Sequence, residues 1–418
     1  MMLPSGPARP DLRRLEAATI GIVAAIAFGS CATAERRPAE PFGFQPKANV
    51  VGFSVGIRYF PRDAAHVEEF ERDYLASLER ERSVLHLGPS EGLPPAAFLA
   101  ISGGGDNGAF GAGLLNGWTR TGTRPKFKLV TGVSTGALIA PFAFLGPSYD
   151  DRLKALYTGI SLDDVARERS LLSAFFGDAM ADAAPLWKLV EKHVTQEMLD
   201  AIAAEHAKGR VLLVATTNLD VRRPVIWNVT EIAASRVPGA LELVQKILIA
   251  SAAIPGTFPP VMIDVEADGK QYQEMHVDGG TTAQVFVYPA AIHLRELAAR
   301  PRALYIIRNA RLDPEWAQVE RRTLPIALRA ITCLIHSQGL GDLYRIYAIA
   351  QRDRVDYNLT YIPASFHAPH TAEFDTAYMR ALFDVGERIG AEGDEWQKRP
   401  PVLLSGVDED EEPGDASP

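Results

Sequence analysis

Ala97-Phe98-Leu99-Ala100-Ile101-Ser102-Gly103-Gly104-Gly105-Asp106-Asn107-Gly108 is the stretch that decides the fold. A short apolar run stopped by glycines suits a strand buried on both faces. Residues 109–119 then take helical spacing, so strand, tight turn and helix follow one another directly. Outward from there the alternation repeats. Residues 127–131 read as a strand and 137–145 as a helix; 186–206 reads as a helix and 210–216 as a strand. Further strands are expected at 225–229, 272–277 and 304–307, with a helix at 241–253. Strands alternating with helices predict an α/β chain, a three-layer sandwich around a mainly parallel central sheet. Before it, residues 67–84 place Phe70, Tyr74, Leu75 and Leu78 on one face of an amphipathic helix, and 35–50 reads as a linker. After it, 324–352 is long and helical despite Gly339 and Gly341, and Cys333 inside it is expected to be a buried core residue.

The glycine turn matches G-x-G-x-x-G, which has three uses. A dinucleotide site needs an acid about twenty residues on for the ribose hydroxyls. No Asp or Glu occurs from Asn107 to Tyr149, which counts against that use. The amides of Gly103, Gly104 and Gly105 at a helix N-terminus also suit a tetrahedral oxyanion. The third use is a plain strand-to-helix turn.

Gly132-Val133-Ser134-Thr135-Gly136 is G-x-S-x-G, placed between the second strand and its helix. That context puts a serine hydroxyl on a sharp turn where a nucleophile belongs. The hydroxyl needs a proton acceptor. Asp278, followed by Gly279 and Gly280 at the end of a predicted strand, is one candidate. A Ser–Asp–His triad completed by His367 or His370 in a downstream loop is the other; His293 and His336 fall in helical patterns. Spacing leaves both open.

In order, Gly103 to Gly108, Gly132 to Gly136 and Asp278-Gly279-Gly280 resemble the motifs of the patatin-like phospholipases. Ala215-Thr216-Thr217-Asn218-Leu219-Asp220, with Pro224-Val225 after it, is similar to a further block of that family. So is the run from Ala250-Ser251-Ala252 to Pro259-Pro260. The resemblance implies a Ser134–Asp278 dyad, with Ser134 as nucleophile and Asp278 as general base. It also implies an oxyanion hole at Gly103, Gly104 and Gly105, and a lipid or phospholipid ester as substrate; no metal-ligand spacing appears in the sequence, so no cofactor or metal is expected. One departure stands out: Asn107 occupies a position where the family usually carries Arg or Lys. A scaffold that has kept the fold without the activity is the non-enzymatic alternative. An acyl chain needs an apolar wall, and residues 137–145, 171–176 and 254–262 offer one.

The expected organisation follows. Residues 1–30 form a signal peptide, 31–95 a linker and helix, and 96–310 the catalytic domain. Residues 311–400 are its helical C-terminal extension, and 401–418 an acidic disordered tail. Residues 17–28 form an apolar run behind three arginines, too short to span a bilayer. Gly29-Ser30-Cys31 then resembles the lipobox of bacterial lipoproteins, with Phe28 where Leu is usual. That predicts lipid attachment at Cys31 and a membrane-anchored lipoprotein of the cell envelope, the alternative being periplasmic or secreted protein. The net charge of −9 argues against nucleic acid as a partner. Six acids in the last eleven residues carry much of it.

Overall fold

A computed structural model describes residues 36–401 except 54–55, 89, 169–177 and 394–395. The expected signal peptide, Cys31, the acidic tail from residue 402 on and the whole apolar stretch 171–176 lie outside the described residues.

One large sheet organises the chain. Its strands are β1 (Asn49–Val50), β2 (Arg58–Tyr59), β3 (Ala96–Ile101), β4 (Phe127–Val133), β5 (Val211–Asn218), β6 (Arg223–Asn228), β7 (Val261–Ala267), β8 (Lys270–Asp278), β9 (Arg302–Arg308) and β10 (Val355–Tyr361). The order is β1-β7-β8-β5-β4-β3-β9-β10, with β6 also paired to β5 and β2 to β6. The centre, β5-β4-β3-β9-β10, is parallel throughout. The flank beyond β5 is antiparallel.

Among the described residues, the helices longer than four residues are α1 (Ala64–Val84), α2 (Gly108–Arg120), α3 (Thr135–Leu145), α4 (Asp150–Gly159), α5 (Ala184–His193), α6 (Gln196–His206), α7 (Val229–Ser235), α8 (Ala240–Ala252), α9 (Thr323–Asp353) and α10 (Thr376–Glu392). They cover both faces of the sheet. Successive side chains of a strand point to opposite faces. Leu99 and Ile101 therefore join the core under α2, α3, α8 and α10, while Phe98 and Ala100 join the core under α1 and the C-terminal half of α9. This is the expected three-layer sandwich, and it explains why β3 is apolar at every position.

Several expectations shift. The single helix expected over 186–206 is two, because Thr195 caps α6 by accepting from the Met198 amide at 3.4 Å. The stretch 35–50 is no free linker where it is described. Arg36 binds Asp220 and the Gln273 carbonyl, and β1 pairs with β7. Cys333 is exposed, contrary to the expected core position. Its neighbours are apolar, but the N-terminal half of α9 stands off the body with no sheet against it. Strands β7 and β10 and helices α4 and α10 are additions to the elements read from the sequence.

Candidate active site

The serine elbow forms where β4 ends and α3 begins. Ser134 has φ +56° and ψ −128°, a positive φ that few non-glycine residues adopt. Such a conformation costs about 1–3 kcal/mol and persists where neighbours hold it. The Ser134 amide donates to Ser251 Oγ at 3.0 Å, and that hydroxyl donates to the Ala215 carbonyl at 2.7 Å. Gly136 is required by contact: a Cβ there would collide with the carbonyls of Ile101 and Ser102 on the neighbouring strand.

Asp278 closes β8 and faces the elbow. Its carboxylate accepts a hydrogen bond from the Gly280 amide at 2.6 Å, and the Ser134 hydroxyl stands near enough to favour its charged form. Its own amide donates to the Ala253 carbonyl at 2.9 Å. The 250–260 block therefore positions both residues, Ser251 through one amide and Ala253 through the other. Burial pushes the Asp278 carboxyl from 3.8 up to about 6, against the Ser134 hydroxyl and the Gly280 amide, which favour its charged form. A carboxylate so placed is a proton acceptor matched to near-neutral pH.

No histidine among the described residues is hydrogen-bonded to Ser134 or Asp278. His370 instead binds Asp106 Oδ2 through Nε2 at 2.7 Å and stacks on Tyr378. His367 is exposed. Buried His276 binds Thr216 and Glu274, each at 2.8 Å.

The glycine turn sits beside the serine, with Gly103 packed against the Ser134 Cβ. Of the three expected oxyanion donors, Gly103 is excluded, because its amide donates to the Gln284 carbonyl at 3.1 Å. Gly104 and Gly105 remain, and Gly105 lines the pocket with Ser134. Three residues that sequence reading missed hold this turn. Asn309 donates to the Ser102 carbonyl at 2.9 Å and accepts from the Gly111 amide at 3.0 Å. The Gln284 side chain donates to the Gly280 carbonyl at 2.8 Å, joining the glycine turn to the Asp278 loop. Arg308 Nη1 lies 3.5 Å from the Gly103 carbonyl. Burial lowers its guanidinium to about 10, opposed by nearby Asp342, so it stays cationic at neutral pH. Arg308 ends β9, Asn309 follows it and Gln284 lies four residues after Gly280, and none carries a motif of its own.

Asp106 and Asn107 face inward. Asp106 is buried and also accepts from the Phe374 amide at 2.9 Å; Asn107 Oδ1 accepts from Tyr378 at 2.6 Å. The turn is thereby tied to the segment that leads into α10. Next to Ser134 opens an apolar pocket lined by Leu138, Phe142, Leu156, Leu186, Ile254 and Phe258, among others. Residues from two of the three expected apolar stretches, 137–145 and 254–262, thus reach it. His193 also lines it, its pKa lowered by burial and then by Lys192 and Arg152.

The patatin-like phospholipase family model matches residues 99–291. No curated protein matches the chain. Among solved structures, VipD from Legionella pneumophila aligns at 12% identity and TM-score 0.34, over 71% of this chain and 66% of that one. The SpcU–ExoU complex of the type III secretion system of Pseudomonas aeruginosa aligns at 14% identity and TM-score 0.32, over 72% of this chain and 52% of that one. The chain spans less than two thirds of either neighbour.

Proposed function

Residues 99–291 form a patatin-like phospholipase domain, and from that premise we propose that the protein is a serine acyl hydrolase cleaving a carboxyl ester of a lipid. The observation that carries this reading is the strained Ser134 elbow at the head of an apolar pocket, with the buried Asp278 carboxylate beside it and both held by the 250–260 block. Ser134 attacks the ester carbonyl and Asp278 takes its proton. The Gly104 and Gly105 amides, beside the positive end of α2, receive the oxyanion. The leaving alcohol takes the proton from Asp278. The same carboxylate then activates a water that releases the acid from Ser134. The pocket receives the acyl chain. The dyad is favoured over a triad because His370 is engaged by Asp106 and not by Asp278.

Export and lipid attachment at Cys31 are part of the proposal; they rest on residues 17–31 of the sequence alone. A test of the chemistry is labelling of purified protein with a fluorophosphonate, with hydrolysis measured on phospholipids, lysophospholipids and short-chain esters. The expected result is covalent labelling at Ser134 and loss of both labelling and hydrolysis in Ser134→Ala. A Ser134→Ala variant that keeps full activity rules the proposal out. Activity that survives in His370→Ala separates the dyad from a triad.

A further inference from the structure

Helix α9 has two unlike halves. The C-terminal half is anchored: Leu343, Ile346 and Ala350 are buried against the sheet. The N-terminal half exposes Ile326, Leu328, Ile331, Leu334 and Ile335, with Leu334 70% accessible. At 100° per residue these five fall within about 200° of the helix circumference. Arg322, Arg329, Thr332 and His336 fall on the remaining arc. From Arg321 to Gly341 there are three arginines and no acid; Glu320, just before, pairs with Arg322 at 3.5 Å. Arg329 donates to the Glu315 carbonyl, which fastens beside the helix the loop that carries Trp316, 88% accessible.

We propose that residues 316–338 form an interfacial element that lies on an anionic lipid bilayer. An amphipathic helix with arginines opposite a wide apolar face has this chemistry: the apolar arc enters the acyl boundary while the cations meet anionic headgroups. An exposed tryptophan suits the same depth. No helix among the described residues is long and apolar enough to cross a membrane, so the element lies on the surface and does not span it. A second copy of this chain would also cover the apolar arc, but would gain nothing from an acid-free arginine face. The placement adds a reason. Gly339, where burial begins, packs against Arg308, which reaches the Gly103 carbonyl. Asp342, one turn on, accepts from the amides of Gln284 and Val285 at 2.6 and 3.3 Å. The docking half therefore runs directly into the frame of the glycine turn. Its part in feeding lipid to the pocket rests on the proposed hydrolase activity; the docking does not.

The test uses the full chain with Cys31→Ser, which removes any attached lipid, and with Ser134→Ala, which removes turnover. Co-sedimentation is measured with vesicles of phosphatidylcholine alone and of phosphatidylcholine mixed with phosphatidylglycerol. The expected result is binding to the mixed vesicles, weakened about tenfold or more by Ile331→Glu with Leu334→Glu. Arg321→Glu with Arg329→Glu removes the preference for the anionic vesicles. In the Ser134 background, hydrolysis of a water-soluble short-chain ester stays unchanged in both variants, which also reports that they fold. Vesicle binding that is absent, or equal in the variants, overturns the proposal. So does a dimer in solution that Leu334→Glu dissociates, which would assign the face to a second copy. Failure of the hydrolase reading appears separately, as a Ser134→Ala protein that still cleaves ester.

Discussion

At the scale of residues, Asp278 carries two opposed demands. Acting as a base requires its charged form, and burial disfavours that form. With the carboxyl at about 6, kcat/KM for a neutral ester should rise with pH through a single ionisation near that value. A flat profile across the same range would remove Asp278 from the proton transfer. The same shift sets a stability relation. The folded-state value lies above the ordinary 3.8, so folding favours the protonated form. That contribution is complete below the ordinary carboxylate range and is lost as pH rises through about 6. Asp278→Asn should therefore be inactive, yet more stable than the parent at neutral pH by up to about 3 kcal/mol, a difference that vanishes in acid. Urea unfolding of both proteins at two pH values checks the sign.

Among elements, α2 and α10 make the closest helix pair. Gly113 and Gly117 of α2 meet the carbonyls of Phe383 and Glu387, while Gly386 and Gly390 of α10 meet those of Phe110 and Leu114. Each pair is four residues apart, so both fall on one face of their helix. Any side chain at these positions would run into the backbone of the partner helix. Gly386→Val should cost at least about 3 kcal/mol, because overpacking against backbone cannot be relieved by a rotamer change. It should also lower activity at moderate temperature, since α2 begins at the glycine turn. Thermal unfolding followed by circular dichroism measures the first effect. An unchanged midpoint would mean that the helices separate freely.

The same pair shows what the sequence could and could not tell. The central strands were legible because burial on both faces makes them largely apolar: 97–101 and 127–131 fall in β3 and β4, and 210–216 falls in β5 but for Arg210. The elbow and Asp278 were legible because glycines mark strand ends. Strand β10 was missed although Val355, Tyr357, Leu359 and Tyr361 alternate with Asp356, Asn358 and Thr360, the period-two pattern of a strand. Helix α10 was hidden because its contact face is built partly from glycine, which carries no hydrophobic signal. Asn309, Gln284 and Arg308 were hidden for another reason. Asn309 and Arg308 reach backbone groups far away in sequence, 198 residues in the case of Asn309 and Gly111, and Gln284 reaches only the Gly280 carbonyl, with no motif to mark it. Cys333 was misplaced because an apolar helix half facing outward has the same composition as one facing a core.

For the whole molecule, the motif-bearing region is smaller than the folding unit. The matched residues end at 291, before β9, β10 and α10. Strand β9 pairs with β3 along its full length, Arg302 opposite Ala96 to Ile307 opposite Ile101. A fragment trimmed to 99–291 would keep Ser134 and Asp278 but cut away the first half of β3 and leave its remainder a raw edge. Unpaired amides on a flat apolar edge recruit other chains. The glycine turn would lose Asn309, and α2 would lose its cover. Such a fragment is expected to aggregate on expression, with no cooperative unfolding, whereas one ending after α10 stays soluble. Light scattering and a melting curve tell the two apart. Clipping the chain between α9 and β10 by limited proteolysis should be equally disabling while leaving every named catalytic group in place. A boundary drawn around conserved-looking motifs is thus a boundary of chemistry, and the sheet closes some way beyond it.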